Sequence, residues 1–283
     1  MPIDLDKVVG AELAGSDWQW DADKVILYHL GLGAGVPPTE PNELTYAYEQ
    51  SLKVLPSFGV LPVFEMLFGM TMDGMAINPM MLLHGEQDLV VHRPLPTEAK
   101  VRNTGRVTDV YDKGKGAVVI AETETTLLDG ELLCTNQFSS FSRGEGGFGG
   151  DPGPAPGNEP PDRDPDRVVE SPTLPQQALL YRLSGDKNPF HADPNMAAMG
   201  GFNQPILHGL CSFGIVCKAV VDNLLDGDVT KVGRYQTRFA GVVFPGETLV
   251  TSMWREGDQI LIATKTKERD TPVITNAAIT LNL

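Results

Sequence analysis

Residues 144–165 read GEGGFGGDPGPAPGNEPPDRDP, a run in which glycine, proline and acidic residues displace every apolar period. Such a stretch forms no helix or strand of its own, because glycine loses the most backbone entropy on ordering and proline lacks an N–H. The chain is therefore expected to divide there into two halves. This predicts a first unit over residues 1–143, a linker over 144–166 and a second unit over 167–283, both of ordinary domain size. PTEAKV at 96–101 and PGETLV at 245–250 each open a strand from a Pro-x-Glu turn, a short match that would suit one topology used twice.

The second unit is the more legible. Thr173 followed three residues later by Gln176 forms a capping-box pattern before QALLYRLSG, with Gly185 as the stop. Asp193-Pro194 starts a short helix that Gly200-Gly201 ends. HGLCSFGIVCKAVVDNLLDG places Leu210, Phe213, Cys217, Val220, Val221 and Leu224 at three- and four-residue spacing, a single buried stripe on a long helix. Four β-branched segments follow, separated at Pro245-Gly246, Gly257-Asp258 and Thr271-Pro272. A long helix against an antiparallel sheet is an α+β unit. In the first unit, residues 23–33 read as a helix and 98–112, 115–129 and 132–143 as strands, with turns at Lys113-Gly114 and Asp129-Gly130. Residues 34–97 give no clear assignment.

Composition narrows the classes. Hydrophobic residues at 41% and charged residues at 21% are globular values, which excludes a disordered chain. No apolar run approaches the ~20 residues of a spanning helix. The opening MPIDLDKVVG is acidic where a signal peptide is basic, so a cytoplasmic protein with no membrane partner is expected. Cys134, Cys211 and Cys217 form no C-x-x-C pair and read as core thiols. With 22 basic and 37 acidic residues the formal charge is 22 − 37 = −15, which repels a phosphate backbone and excludes nucleic acid as a partner.

The chemistry concentrates in SGDKNPFHADP, residues 184–194, between the end of one helix and the start of another. Asp186 and His191 in one anchored loop can share a water and trade protons with it, and histidine titrates near the working pH. Taken singly, Asp186 also fits a turn cap, Asn188 a brace for Pro189 and His191 a core histidine. Gly209 opens the long helix, where unpaired N–H groups and the macrodipole favour an oxyanion and a glycine lets a carbonyl approach. It equally fits a tight helix start. His29, His84, His92 and His208 show no metal-ligand spacing with acids such as Glu86 or Asp88, so no metal is expected. His208 reads as a brace for the start of the long helix.

YRLSGDKNPFHADPNMAAMGGFNQPILHGLCSFG, residues 181–214, closely resembles the hydratase-2 motif of MaoC-like, (R)-specific enoyl-CoA hydratases. The resemblance implies a catalytic pair at Asp186 and His191, a supporting amide at Asn188 and an oxyanion-binding N–H at Gly209. More weakly, LHGEQDLVVHRPLP at 83–96 is similar to the first domain of two-domain members. The implied fold is two tandem hot-dog domains, each a long helix wrapped by an antiparallel sheet. The first unit lacks the Asp-x-Asn-Pro-x-His pattern, which implies one active site per chain and a first domain that makes room for a bulky acyl chain. Phe190 departs from the aliphatic residue common in the family and is expected to adjust pocket width.

The implied reaction is reversible addition of water to a trans-2-enoyl-CoA, giving the (3R)-3-hydroxyacyl-CoA, without metal or redox cofactor. Lys231, Arg234 and Arg238 are the candidate ligands for the CoA phosphates, although three bases in eight residues also describe a solvated face. A homodimer is implied, since hot-dog proteins commonly pair through their sheets. Rival readings are a dehydratase acting on carrier-protein thioesters, a thioesterase of the same fold and a non-catalytic acyl-CoA-binding protein.

Overall fold

The computed structural model describes residues 3–68 and 82–282. In chain order the elements are helix α1 (Leu5–Val8), strand β1 (Ser16–Trp20), helices α2 (Ala22–Gly31), α3 (Pro41–Ala47) and α4 (Phe64–Phe68), and strands β2 (Leu82–Val91), β3 (Ala99–Asp112), β4 (Gly116–Leu127) and β5 (Leu132–Arg143). After the Gly/Pro stretch come β6 (Arg167–Pro172), α5 (Gln177–Tyr181), α6 (Pro194–Met199), α7 (Gly209–Leu224), β7 (Val232–Phe239), β8 (Thr248–Glu256), β9 (Gln259–Thr266) and β10 (Pro272–Leu281). Much of the segment that gave no assignment, 34–97, is therefore short helix and 3₁₀ turn followed by β2. Its residues 69–81 lie outside the described residues.

The strands form one antiparallel sheet in the order β1-β3-β4-β5-β2-β7-β10-β9-β8-β6. The first half supplies five consecutive strands and the second half the other five, so two hot-dog units meet at a seam where β2 pairs with β7, Gln87 opposite Thr237. Sheet-to-sheet pairing of the kind expected between two subunits is thus made within one chain. Over the second half's sheet lies the 16-residue α7, with Phe213 stacked on Tyr235 of β7 at 4.0 Å. Over the first half's sheet the described residues present a 3₁₀ turn (Pro56–Val60) and the short α4 rather than an equivalent of α7. No helix among the described residues is long and apolar enough to cross a membrane.

Two local expectations are corrected. α7 is buried on nearly every side, not along one stripe: Cys211, Ser212, Gly214, Ile215 and Val216 are inaccessible along with Leu210, Phe213 and Cys217. The reason lies in the first half, whose α2 and α3 cover the face turned away from the sheet. A Cβ on Gly214 would stand 2.6 Å from Leu32 and 2.7 Å from the Tyr28 hydroxyl, so only glycine permits this approach. On the flank, Lys218 reaches Glu43 at 2.6 Å and Tyr46 donates to Asp222 at 2.7 Å. The second correction concerns the capping box. Thr173 donates instead to the Glu247 carbonyl at 2.7 Å, and it is Gln177 whose side chain accepts from Leu174 N–H at 2.8 Å while donating to Gly31 O. Partners distant in the chain outcompete the local pattern.

The glycine- and proline-rich stretch contains no regular element, yet it is held at several points. The Asp112 carboxylate accepts from the N–H groups of Gly114, Gly147 and Gly149 at 2.7–2.8 Å, and these bonds hold its pKa below the ordinary carboxylate range. Further along, Asn276 donates to Gly157 O and Trp254 to Arg163 O. Asp112→Ala is expected to speed proteolytic cleavage within 144–157 with little change in melting temperature, since a solvent-exposed loop rather than the core is released. Unchanged resistance, read by mass spectrometry of limited digests, would show that Asp112 does not anchor the segment.

His29 is fully buried and satisfied as a neutral ring: Nδ1–H donates to Tyr46 O at 2.8 Å and Nε2 accepts from Leu55 N–H at 3.2 Å. Burial pulls its pKa from 6.5 to about 4. The unfolded chain therefore binds a proton in this window that the folded chain refuses, and stability falls as the pH drops from about 6.5 toward 4. The loss from this one group is of order 3 kcal/mol. Denaturant titrations across that window should show a shallower pH slope for His29→Gln by close to one proton, and an unchanged slope would contradict it. The three cysteines are buried free thiols, with burial raising Cys217 to about 11.

Candidate active site

The loop between α5 and α6 is built by its own side chains. α5 runs into a 3₁₀ turn (Arg182–Ser184) closed at Gly185. Asp186 Oδ1 then accepts from Asn188 N–H at 2.9 Å, and Asn188 Oδ1 accepts from Phe190 N–H at 3.1 Å, capping a 3₁₀ turn over Pro189–His191. Asn188 thus shapes the backbone that carries His191. Asp193 caps α6 through Asn195 N–H at 2.8 Å, as its position before Pro194 predicts. Phe190 packs against Gly200 at the end of α6, with a ring carbon only 2.6 Å from where a Cβ would sit, so its ring ties α6 to the loop.

Asp186 and His191 come together: Oδ2 and Nε2 are 3.9 Å apart, and their side chains are 12% and 11% exposed. The gap is too long for a direct hydrogen bond but short enough for a single water to lie about 2.8 Å from both atoms. His191 Nδ1 lies 2.8 Å from Ile206 O, a carbonyl that can only accept, so Nδ1 carries the proton and the neutral ring turns its Nε2 lone pair toward Asp186. Burial raises the Asp186 pKa and lowers that of His191, with each partner's charge opposing the shift.

His208, read from the sequence as a brace, does more. Its ring stacks on His191 at 3.7 Å and 27°, and its Nε2–H donates to the Asp186 carbonyl at 3.2 Å. It is also 4.0 Å from Asp186 Oδ2. Burial holds it well below the ordinary histidine range, hence uncharged. Asp186, His191 and His208 thus bring three ligand-capable atoms within 4.8 Å of one another, a grouping that sequence spacing did not reveal. Ring lone pairs lie in the ring plane, and two stacked planes do not converge on one ion at the ~2.0 Å that a metal needs. Proton transfer suits this geometry better. On the segment leading into this loop and at the start of α7, the Tyr181 hydroxyl, Arg182 Nε, Ser184 hydroxyl and His208 Nδ1 are buried without a protein partner.

The residue after His208 is Gly209, exposed at the first position of α7. Its N–H precedes the helix's first internal bonds, which run from Cys211 and Ser212 to His208 O. It directly follows His208, one of the two stacked imidazoles. Leu207 N–H donates to Val243 O at 2.7 Å, and the 242–247 loop is in turn clamped by Arg269, which binds Glu247 and Val242 O. The sequence offered no signal for Ile206, Val243 or Arg269, since their parts are played by backbone atoms or across long separations.

The three candidate phosphate ligands are not gathered with this group. Arg234 and Arg238 are exposed on the face of β7 opposite Tyr235 and Thr237, where Arg234 binds Asp88 at 2.9 Å and Arg238 lies 3.7 Å from Glu86. Lys231 lies in the turn before β7, 4.0 Å from Asp226. Acidic partners on β2 account for the two arginines as cross-strand pairs at the seam.

Comparison with known proteins agrees with this architecture. A family model described as the MFE-2 hydratase 2 N-terminal domain matches residues 18–144, and one described as a MaoC like domain matches 157–277. The chain is 47% identical over 277 residues to the enoyl-CoA hydratase ChsH3 of Mycobacterium tuberculosis, covering 97% of each chain. A MaoC-like dehydratase from Phytophthora capsici superposes with a TM-score of 0.89 at 32% identity, over 99% of this chain and 98% of that one. The full-length peroxisomal multifunctional enzyme type 2 of Drosophila melanogaster matches with a TM-score of 0.85 at 36% identity over 96% of this chain, which spans 48% of that longer protein. With its hydratase-2 motif on the loop before α6, its α7 start beside that loop and this likeness along nearly its whole length, the chain belongs to the MaoC-like hydratase-2 family of double hot-dog proteins.

Proposed function

We propose that the chain is an (R)-specific trans-2-enoyl-CoA hydratase, a hydro-lyase that adds water reversibly across the 2,3 double bond to give a (3R)-3-hydroxyacyl-CoA. The observation that carries this reading is the 3.9 Å separation of Asp186 Oδ2 and His191 Nε2 beside an exposed helix-N-terminal amide. In the hydration direction the His191 Nε2 lone pair takes a proton from the shared water as its oxygen bonds to C3. Asp186, which burial inclines toward the protonated form, delivers a proton to C2. The thioester oxygen takes up enolate charge between these events and is met by the Gly209 N–H at the positive end of α7. One proton has left water and one has reached carbon, so the pair resets by passing a proton from imidazolium to carboxylate. Because acid and base lie on one side of the substrate, both additions occur on the same face.

Asp186 and His191 are thus assigned as acid and base, Asn188 as loop former and Gly209 as oxyanion donor. The first half, 1–143, houses the acyl chain, and the second, 167–283, carries the chemistry. The assay is loss of the enoyl absorbance with crotonyl-, decenoyl- and bulkier enoyl-CoA esters, followed by chiral analysis of the 3-hydroxy product. CoA release without hydroxyacyl product would replace hydratase by thioesterase, binding without absorbance loss would leave an acyl-CoA binder, and turnover confined to carrier-protein thioesters would make the protein a dehydratase of that class. Since His191 must be neutral to act, the acid limb of kcat/KM is expected below the ordinary histidine value of 6.5. A limb above it would remove His191 as the base.

The wider reading is a cytoplasmic homodimer. Sedimentation at a single chain's 30.6 kDa would replace the dimer by a monomer whose halves already supply each other's sheet partner.

A further inference from the structure

Gly209 is bordered by a ring that no part of the mechanism above uses. A Cβ built on Gly209 would lie 3.4 Å from Cδ1 and Cε1 of Phe239, so the last side chain of β7 faces the side of Gly209 from which a side chain would project. Phe239 is half-buried and is itself backed by a residue of the other half: the His84 ring on β2 lies 4.9 Å from it, centroid to centroid. His84 in turn stacks on the buried Phe138 of β5 at 5.3 Å and 29°. Three rings from three neighbouring strands, β5, β2 and β7, thus cross the seam between the two units and end beside Gly209.

His84 is fixed in this row. Its Nε2 lies 3.1 Å from Glu86 O, so that nitrogen carries the proton and donates. The ring is half-buried, and its desolvation lowers the pKa to about 4, which keeps it uncharged and suited to aromatic packing. The charged groups of its strand, Glu86 and Asp88, are engaged by Arg238 and Arg234 on the sheet's other face. A neutral histidine between two phenylalanines acts as a third flat ring.

On the hydratase reading, we infer that Phe239 is the wall against which the substrate's thioester end is seated beside the Gly209 N–H, and that His84 is a positioning residue that holds the Phe239 ring in place from the first half. The first half then does more than accommodate an acyl chain. It reaches the reacting end of every substrate through β2, and the seat is composite. The thioester group is common to all acyl-CoA esters, whereas only long acyl chains gain additional binding energy remote from it. Loss of the seat therefore falls hardest on short esters, which have little else to orient them.

The test compares crotonyl-CoA with decenoyl-CoA in wild type, Phe239→Ala, Phe239→Leu, His84→Ala and His84→Phe, with thermal melting recorded for each. Expected is a fall in crotonyl kcat/KM of about tenfold or more for Phe239→Ala, mostly in kcat, since a displaced thioester loses alignment. The decenoyl-to-crotonyl ratio should rise severalfold in Phe239→Ala and His84→Ala, and Phe239→Leu should lie between. His84→Phe keeps a flat ring and should recover most of the crotonyl rate lost in His84→Ala. A purely structural role would lower melting temperature and both substrates together, leaving the ratio at the wild-type value; that result, or equal damage from His84→Phe and His84→Ala, overturns the inference. A wild-type protein that hydrates neither ester would instead overturn the hydratase reading itself.

Discussion

Asp186→Asn and His191→Ala should each lower kcat by about 10²- to 10⁴-fold, which corresponds to roughly 3–5 kcal/mol of barrier, while leaving a folded protein. The asparagine keeps the shape of the carboxylate and still offers an oxygen to Asn188 N–H, a bond 2.9 Å long in the wild type. What it removes is the exchangeable proton and the charge. Alanine at 191 removes the Nε2 lone pair and leaves Ile206 O without its donor, but the surrounding backbone is held independently by Asn188, by Asp193 and by the Leu207–Val243 bond. Because the two groups act as a unit that resets by passing a proton between them, the double variant should be barely worse than either single one. Near-wild-type turnover by either single variant, with circular dichroism unchanged, would refute the assignment of the pair.

Gly209→Pro isolates the oxyanion donor with little disturbance of the fold. Proline lacks the N–H in question, and the first helical position is where a helix accepts proline most readily. The preceding residue must then be extended, and His208 already is, at φ −59° and ψ 135°. The new Cβ would meet the Phe239 ring at 3.4 Å, ordinary contact. The expected loss is about 10²- to 10³-fold in kcat. Gly209→Ala retains the N–H and supplies the comparison, so it should lose far less. Equal activity of the proline and alanine variants would mean that the thioester oxygen is received elsewhere.

How legible the chain was depends on how far apart its interacting parts lie. The loop's internal bonds, Asp186 to Asn188, Asn188 to Phe190 and Asp193 to Asn195, each span two residues, and the sequence states them directly. The long helix and the C-terminal strands were equally plain, because alternation and three-to-four spacing are local. The capping box at Thr173 misled because Glu247, 74 residues away, holds the threonine more firmly than its neighbour does. His208 was visible as a residue but not as a partner, since its stacking on His191 closes a gap of 17 positions through folding alone.

From the sequence alone came the acid, the imidazole, the glycine at a helix start, the break at 144–165 and the family to which these belong, because each is a matter of residue type and short spacing. Tertiary structure alone decided that ten strands form one sheet across the break, that α7 is enclosed by helices of the other half, that Arg234 and Arg238 are paired at the seam, and that rings from β5 and β2 back Phe239, the ring next to Gly209. These are contacts between surfaces brought together only when both halves bury their apolar faces against each other, and no spacing along the chain encodes which faces will meet.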